Sequence, residues 1–182
     1  TQLTRRARNS LVSVPGATSA GAKNLPIGIS DAQGRSGSTT ISLTVQVATP
    51  AGGDVVISQV YGGGGNSGAT LTHDFIELYN RSGNTVNVTG WSVQYASSSG
   101  TSWQVTGLSG SLAPGQYYLI QQAQGSGGTT PLPTPDAIGT IAMSGTSGKV
   151  ALVSNSTALS GSCPLGSPVA DFVGYGSSAN CF

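Results

Sequence analysis

The residues best suited to chemistry lie together in one stretch, QVYGGGGNSGATLTHDFIELYN, at positions 59–80. It contains four consecutive glycines, the only histidine of the chain, His73, and the acidic residues Asp74 and Glu77. Residues of these types build three kinds of site: glycine-rich loops that bind phosphate, oxygen clusters that bind a metal ion, and histidine–carboxylate pairs that transfer protons. Each kind of site needs further residues at known spacings, so each can be tested against the sequence.

The residues that a phosphate-binding loop needs beside its glycines are missing after GGGGNSG. A P-loop places Lys and then Ser or Thr directly after its last glycine, whereas here Ala69 and Thr70 follow Gly68. A dinucleotide-binding loop opens a helix, whose N-terminus faces the pyrophosphate. The following LTHDFIELYN has the pattern of a strand instead, so the sequence argues against nucleotide binding.

Catalysis by this chain is not expected either. The chain has no G-x-S-x-G motif, and a lone histidine between a loop and a strand more often forms hydrogen bonds than acts as a base. Asp74 and Glu77 lie three positions apart on a predicted strand, so their side chains should point to opposite faces and cannot act as a carboxylate pair. We therefore predict no catalytic residues.

Calcium is the metal ion that the oxygen-rich loops suit best, because it binds carboxylate and carbonyl oxygens. The candidate ligands are Asp54, Asp74 and Glu77, with Asn66 beside them, but the DxDxDG spacing of a calcium loop is missing. We expect no cofactor, with calcium at these residues as the alternative.

Aromatic side chains offer a surface on which an extracellular polymer could stack. Trp91 begins an alternating run after the turn-like VTG, which is typical of a core tryptophan in a sandwich. Trp103 and either Tyr117 or Tyr118 are better candidates for exposure. The predicted binding surface therefore consists of His73, Trp103 and Tyr117.

Charge is scarce and unevenly distributed. Charged residues make up 7% of the chain, against about 25% in an average soluble domain. Five of the seven basic residues precede position 54, three of them in the RRAR run at 5–8, whereas five of the six acidic residues lie from Asp54 onward. Nucleic-acid binding relies on clustered Lys and Arg, which the larger segment lacks, so it is not expected of this chain.

The two cysteines, Cys163 and Cys181, lie in the last 20 residues and outside any CxxC pattern, which argues against a zinc site. A disulfide that closes this short loop implies an oxidising compartment; two free buried thiols are the alternative. No apolar run long enough for a transmembrane helix occurs, and TQLTRRARNS has no apolar core of a signal peptide. We expect an extracellular or cell-surface location, with any secretion signal upstream.

The elements that must position these residues are short strands, because apolar residues alternate in runs bounded by Gly, Ser, Asn and Pro. Their spacing predicts an all-β sandwich or barrel. A loop, GGGGNSGATLTH, should connect the first two strands of the larger domain as a mobile segment. The main predicted strands are TISLTVQV, DVVISQVY, DFIELYN, TVNVTGWSVQYA, QYYLIQQ, KVALVSN and VADFVGY.

A domain boundary is predicted at VATPAGGD, residues 47–54, where a strand ends and a linker follows. It divides the chain into a partial β segment with its linker, residues 1–50, and a sandwich domain, residues 51–182. The upstream strands are SLVSV, NLPIGIS and TTISLTV, the last two joined by a hairpin turn at SDAQGRSG. Three strands do not easily close a sandwich alone. They are therefore either the back half of a truncated β-module, or they complete their sheet against the rest of the chain or another molecule.

Several phrases in the larger segment resemble the lamin tail domain family. They are an F-I-E-L-x-N phrase at Phe75 to Asn80, a V-N-x-x-G-W phrase at Val86 to Trp91, and an L-x-P-G phrase running from Leu112 to Ile120. The resemblance extends over residues 54 to 182 and implies an immunoglobulin-like β-sandwich. The upstream hairpin resembles the end of a bacterial immunoglobulin-like repeat.

The glycine-rich insertion and the cysteine-containing ending NCF resemble the bacterial secreted branch of that family, whose members accompany catalytic domains in extracellular nucleases. The resemblance brings no catalytic residues. It implies a non-catalytic binding or spacer module, whose partners would be other domains of a larger secreted protein, neighbouring copies or an extracellular polymer. The alternative is a structural subunit of an extracellular assembly joined by β-strand addition. Any nuclease activity would belong to a segment beyond Phe182.

Overall fold

A computed structural model describes residues 21–30, 33–45 and 54–181 of the chain. The chain divides into two compact units, Thr1–Ala48 and Thr49–Phe182, and each is described by itself. The predicted strand SLVSV, the RRAR run and the predicted linker up to residue 53 lie outside the described residues. No membrane-spanning helix is found in the part of the chain that is described.

The described part of the first unit is one hairpin. Strand β1 (Gly21–Ser30) pairs antiparallel with β2 (Ser36–Val45), from Gly21 opposite Val45 to Ser30 opposite Ser36. Gly34 occupies the turn with a φ of 79°, a left-handed conformation that glycine adopts without strain. The hairpin predicted around SDAQGRSG is therefore confirmed.

The described part of the second unit, residues 54–181, contains ten strands. They are β3 (Val55–Tyr61), β4 (His73–Asn80), β5 (Val86–Asn87), β6 (Ser92–Ser97), β7 (Gln104–Gly107), β8 (Ser111–Leu112), β9 (Tyr117–Gln124), β10 (Ala137–Ile138), β11 (Gly148–Val153) and β12 (Val169–Tyr175). The first four-stranded sheet has the order β10-β9-β4-β3, the second has the order β12-β11-β6-β7, and β5 pairs with β8 in a small two-stranded sheet. All of these strand pairings are antiparallel except that of β10 with β9.

The main core lies between the two large sheets, because alternate residues of each strand turn inward. Ile76 and Leu78 of β4 and Val150 and Leu152 of β11 are fully buried in one apolar cluster. Trp91, which the sequence assigns to the core, packs against the same cluster. Two sheets that bury alternating apolar residues against each other form a sandwich, so the predicted all-β sandwich is confirmed.

A second, smaller core covers the outer face of the second sheet. It is formed by Ala96, Trp103, Ala151 and Val153, with Leu159, Val169 and Phe172 packed against them. Trp103 is only 6% exposed, and its indole N–H donates to the Gly161 carbonyl at 3.0 Å. The prediction that Trp103 is exposed is wrong, because the small apolar residues on this face let the chain around residue 160 pack over the sheet.

The glycine-rich loop between β3 and β4 is packed rather than free, contrary to the mobile loop expected from its sequence. Gly62, Gly64 and Gly65 are buried. The Gly65 amide donates to the Leu71 carbonyl at 2.8 Å, and the Gly65 carbonyl accepts from the Gly127 amide at 2.7 Å. A Cβ atom added at Gly64 would overlap the His73 backbone, so close backbone contact, not flexibility, requires glycine there.

Replacing Gly64 with alanine should therefore lower the free energy of unfolding by about 3 kcal/mol or more, since the overlapping atoms are backbone that cannot rotate away. The matched control is Gly83→Ala, where an added Cβ meets nothing within 4 Å and the change should stay within about 0.5 kcal/mol. Urea denaturation of the two variants measures the difference. Equal stability of Gly64→Ala and Gly83→Ala would contradict the packed loop.

Candidate ligand-binding surface

Asp74 is a structural residue that joins two loops. Its carboxylate is 4% exposed; Oδ1 accepts the Gly64 amide and Oδ2 accepts the Met143 amide, both at 2.8 Å. Burial raises the pKa of Asp74, and the two amide hydrogen bonds act in the opposite direction. The carboxylate thus attaches the glycine-rich loop to the segment that leads into β11.

The other candidate chemical residues do not converge on Asp74. The His73 Nδ1 atom lies 2.9 Å from the Thr72 hydroxyl, and Glu77 accepts a hydrogen bond from the Ser58 hydroxyl at 2.7 Å. Asp54 is exposed at the start of β3. Within the described ranges, no three His, Cys, Asp or Glu side chains come close enough to hold a metal ion. The calcium candidates Asp54, Asp74 and Glu77 therefore do not form a cluster.

Two further aspartates act as acceptors for strand amides, a role that the sequence did not reveal. The Asp136 carboxylate accepts the Leu119 amide at 2.8 Å. The Asp171 carboxylate on β12 accepts the Ile57 amide on β3 at 2.7 Å and so joins the edges of the two large sheets. Asp171 and Ile57 are 114 positions apart, and no local pattern could have paired them.

Asn80, the last residue of the F-I-E-L-x-N phrase, organises the turn that follows β4. It is fully buried. Its Nδ2 atom donates to the carbonyls of Asn84, Leu112 and Ala113, at 2.8, 2.9 and 3.1 Å. Its Oδ1 atom accepts from the amide and hydroxyl of Ser82. A polar residue at an inward position of an apolar strand was the available signal, since such a residue must be hydrogen bonded.

The two cysteines form a disulfide, with their Cα atoms 5.7 Å apart. Cys163 lies in the loop before β12 and Cys181 near the end of the described chain. Of the two alternatives that the sequence left open, the structure contains the disulfide. Such bonds persist in oxidising compartments, which fits an extracellular protein.

The outer face of the first sheet carries an aromatic pair, Tyr79 and Tyr117, of which Tyr117 is well exposed. Tyr117 is 56% exposed, whereas the neighbouring Tyr118 is 4% exposed and donates its hydroxyl inward to the Ser109 carbonyl. The rings of Tyr117 and Tyr79 lie 4.7 Å apart between centroids, tilted by 38°. The strand register places Val56 beside Tyr79.

We call this surface the tyrosine face. Val56, Tyr79 and Tyr117 form one row across three strands. Glu77 and Leu119 form the next row on the same face. The tyrosine face consists of Val56, Glu77, Tyr79, Tyr117 and Leu119. Of the predicted binding residues it includes Tyr117, whereas Trp103 is buried in the second sheet's outer cluster and His73 lies at the first residue of β4.

Asp74→Asn should lower the free energy of unfolding by about 2–3 kcal/mol, because the amide oxygen can accept only one of the two backbone amides while its NH₂ group opposes the other. The matched control is Asp54→Asn, an exposed position where the change should stay within about 0.5 kcal/mol. Thermal and urea denaturation measure both. Equal effects of the two substitutions would contradict the structural role of Asp74.

The same variant should change the pH dependence of stability. Since burial raises the pKa of Asp74, the folded chain keeps this proton to higher pH than the unfolded chain does. Protonation of Asp74 therefore adds most to the free energy of unfolding in acid. This contribution is lost as the pH rises through the pKa of Asp74 in the folded chain. Unfolding free energies measured from acid to neutral pH should show this decline in the parent chain relative to Asp74→Asn. A relative increase with pH would contradict it.

Comparison with known proteins gives the same fold and the same family that the sequence phrases between Phe75 and Ile120 indicate. The sequence profile described as Lamin Tail Domain matches residues 48–165, which include β3 to β11. No curated protein matches the chain. The profile describes a non-enzymatic, immunoglobulin-like β-sandwich, which agrees with the two packed sheets. The chain belongs to the lamin tail domain family.

Proposed function

We propose that this chain is a non-catalytic binding module of a secreted or cell-surface bacterial protein, and that it binds an extracellular polymer on the tyrosine face. The observation that carries the proposal is the Tyr79–Tyr117 pair. Tyr117 is 56% exposed at the surface of a well-packed sheet. Aromatic side chains on a rigid sheet bury a large area on binding at small entropic cost.

The composition of the tyrosine face favours an uncharged polymer such as a neutral polysaccharide. The one carboxylate of this face, that of Glu77, would repel a phosphate backbone. The same carboxylate and the tyrosine hydroxyl groups can form hydrogen bonds to sugar hydroxyls. From residue 54 onward the sequence contains two basic residues, Arg81 and Lys149, and Lys149 is fully buried. Nucleic-acid binding depends on accessible basic residues, so DNA suits this surface poorly.

The wider setting that we propose is an accessory domain of an extracellular nuclease, with the catalytic residues in another segment. Support comes from the family, whose members are non-enzymatic modules, and from the disulfide. Support also comes from Asp74, Asp136 and Asp171, which accept backbone amides instead of facing one pocket. A nuclease assay on this chain with Mg²⁺ or Ca²⁺ should show no cutting; robust cutting would refute the non-catalytic assignment.

A second candidate function, assembly by β-strand addition, has support from the first unit. Strands β1 and β2 pair over ten residues, and an isolated two-stranded hairpin is marginally stable in water, so a strand from a neighbouring copy could extend it. The edge of β3 is less suited to addition, because Asp171 occupies its Ile57 amide and a bulge interrupts the ladder after Ile57. Light scattering after size-exclusion chromatography distinguishes the candidates, since a stable monomer argues against assembly.

Tyr117→Ala should weaken binding to a neutral polysaccharide about tenfold, because it removes the more exposed ring of the pair and its buried area. Depletion assays with cellulose, chitin and double-stranded DNA provide the measurement. Leu165→Ala is the matched control: Leu165 is 63% exposed but lies in the loop before β12, so its loss should leave binding unchanged. Absence of binding to both polysaccharides, or an equal loss in Leu165→Ala, would refute the proposed surface.

A further inference from the structure

Lys149 is the largest fully buried side chain of the described sandwich, and no described aspartate or glutamate is bonded to it. It lies on β11 in the outer-face register, where its neighbours Ala151 and Val153 belong to the small core around Trp103. Its ammonium nitrogen is 5.6 Å from the centroid of the Trp103 ring. A buried charge of this kind is stable only when all of its N–H groups have acceptors.

Three acceptors surround the Lys149 ammonium, one for each of its hydrogens. They are the Gly100 carbonyl at 2.9 Å, the Ser162 carbonyl at 2.6 Å and the Asn180 side-chain oxygen at 2.9 Å. We call them the lysine shell. All three are neutral oxygens, and burial lowers the pKa of Lys149. The ammonium therefore depends on the position of three separate chain segments.

Two of the three acceptors are adjacent in sequence to the disulfide. Ser162 precedes Cys163, and Asn180 precedes Cys181. The disulfide joins these two segments with Cα atoms 5.7 Å apart. The third acceptor, Gly100, lies in a turn closed by its own hydrogen bond to the Ser97 carbonyl and has no covalent link to the cysteines. Opening the disulfide removes the covalent restraint on two of the three acceptors at once.

We propose that Lys149 is a cryptic amine site that the Cys163–Cys181 disulfide keeps closed, and that a dithiol reductant opens it to acylating electrophiles. Without the disulfide, the segment that carries Asn180 is held by the bond from its backbone amide to the Ser98 carbonyl and by the burial of the small side chains of Ala179 and Cys181. When this segment separates, the ammonium loses acceptors in an apolar surrounding, so the lysine side chain moves into water. The amine then reacts as an ordinary surface lysine.

The chemical step is a thiol–disulfide exchange, for which the sulfur atoms are suitably placed. Cys163 is exposed, whereas Cys181 is 8% exposed, so a thiolate of the dithiol attacks the Cys163 sulfur. The Cys163–Cys181 bond breaks, and Cys181 leaves as a thiolate that takes up a proton. The second thiol of the reductant then displaces Cys163, so that the dithiol ends as a disulfide and the protein holds two thiols.

The test is acetylation of the whole chain with N-hydroxysuccinimide acetate, followed by peptide mass spectrometry. A free amine, Nα-acetyllysine methylamide, is added to the same reaction as the reference. In the oxidised chain, Lys149 should react at least about tenfold more slowly than this reference amine. After reduction with dithiothreitol and alkylation of both thiols with iodoacetamide, Lys149 and the reference amine should react within about threefold of each other.

Two variants distinguish the effect of the disulfide on Lys149 reactivity from the effect of the lysine shell. Cys163→Ser combined with Cys181→Ser should expose Lys149 without any reductant. Asn180→Ala, which keeps the disulfide and removes one acceptor, should give an intermediate rate. Hydrogen exchange at the Ile76 and Ile120 amides shows whether the sandwich stays folded. The proposal is overturned if reduction leaves the Lys149 rate unchanged, if Lys149 reacts as fast as the reference amine in the oxidised chain, or if Lys149 becomes reactive only when these core amides also exchange.

Discussion

Every polar group that the sandwich buries needs a hydrogen-bond partner, and this requirement determines how the loops pack. Within the described residues, no buried side-chain nitrogen or oxygen lacks a partner. Gln94, Asn80 and Lys149 are completely buried, and each bonds to backbone atoms of a loop. Because an unpaired buried polar atom costs about 1–3 kcal/mol, these side chains hold long glycine- and serine-rich connections in one arrangement.

Hydrogen bonding to backbone amides also gives the aspartates of the sandwich structural roles. The buried Asp74 carboxylate accepts two loop amides, whereas the half-buried Asp171 and the exposed Asp136 each accept one strand amide. A carboxylate that bonds to two amides in a buried position is committed to holding them. The tyrosine face is different, since Tyr117 is exposed on a strand whose inward neighbours are packed. This contrast is the reason why we propose the tyrosine face as the binding surface.

Local sequence patterns were sufficient for the parts of the fold that depend on nearby residues. Alternation in DFIELYN predicted a strand with Ile76 and Leu78 on the same face, and both lie in the core. The order of the short phrases identified the family. Contacts between distant segments were not predictable. Trp103 is buried because the chain near Gly161 packs over it, and Asp171 meets Ile57 across the two sheets. KVALVSN was predicted as a strand, but nothing local to it indicated that Lys149 is buried, because its acceptors come from three separate segments.

Native-state hydrogen exchange at the Gly64 and Met143 amides tests most directly the central claim, that buried polar side chains such as the Asp74 carboxylate hold the loops in one arrangement. Both amides lie outside the strands, and both donate to Asp74. The account predicts that they exchange as slowly as the Ile76 amide in β4, at least about a thousandfold below the rate of an unprotected peptide. Exchange of either amide within about tenfold of the unprotected rate would contradict the account.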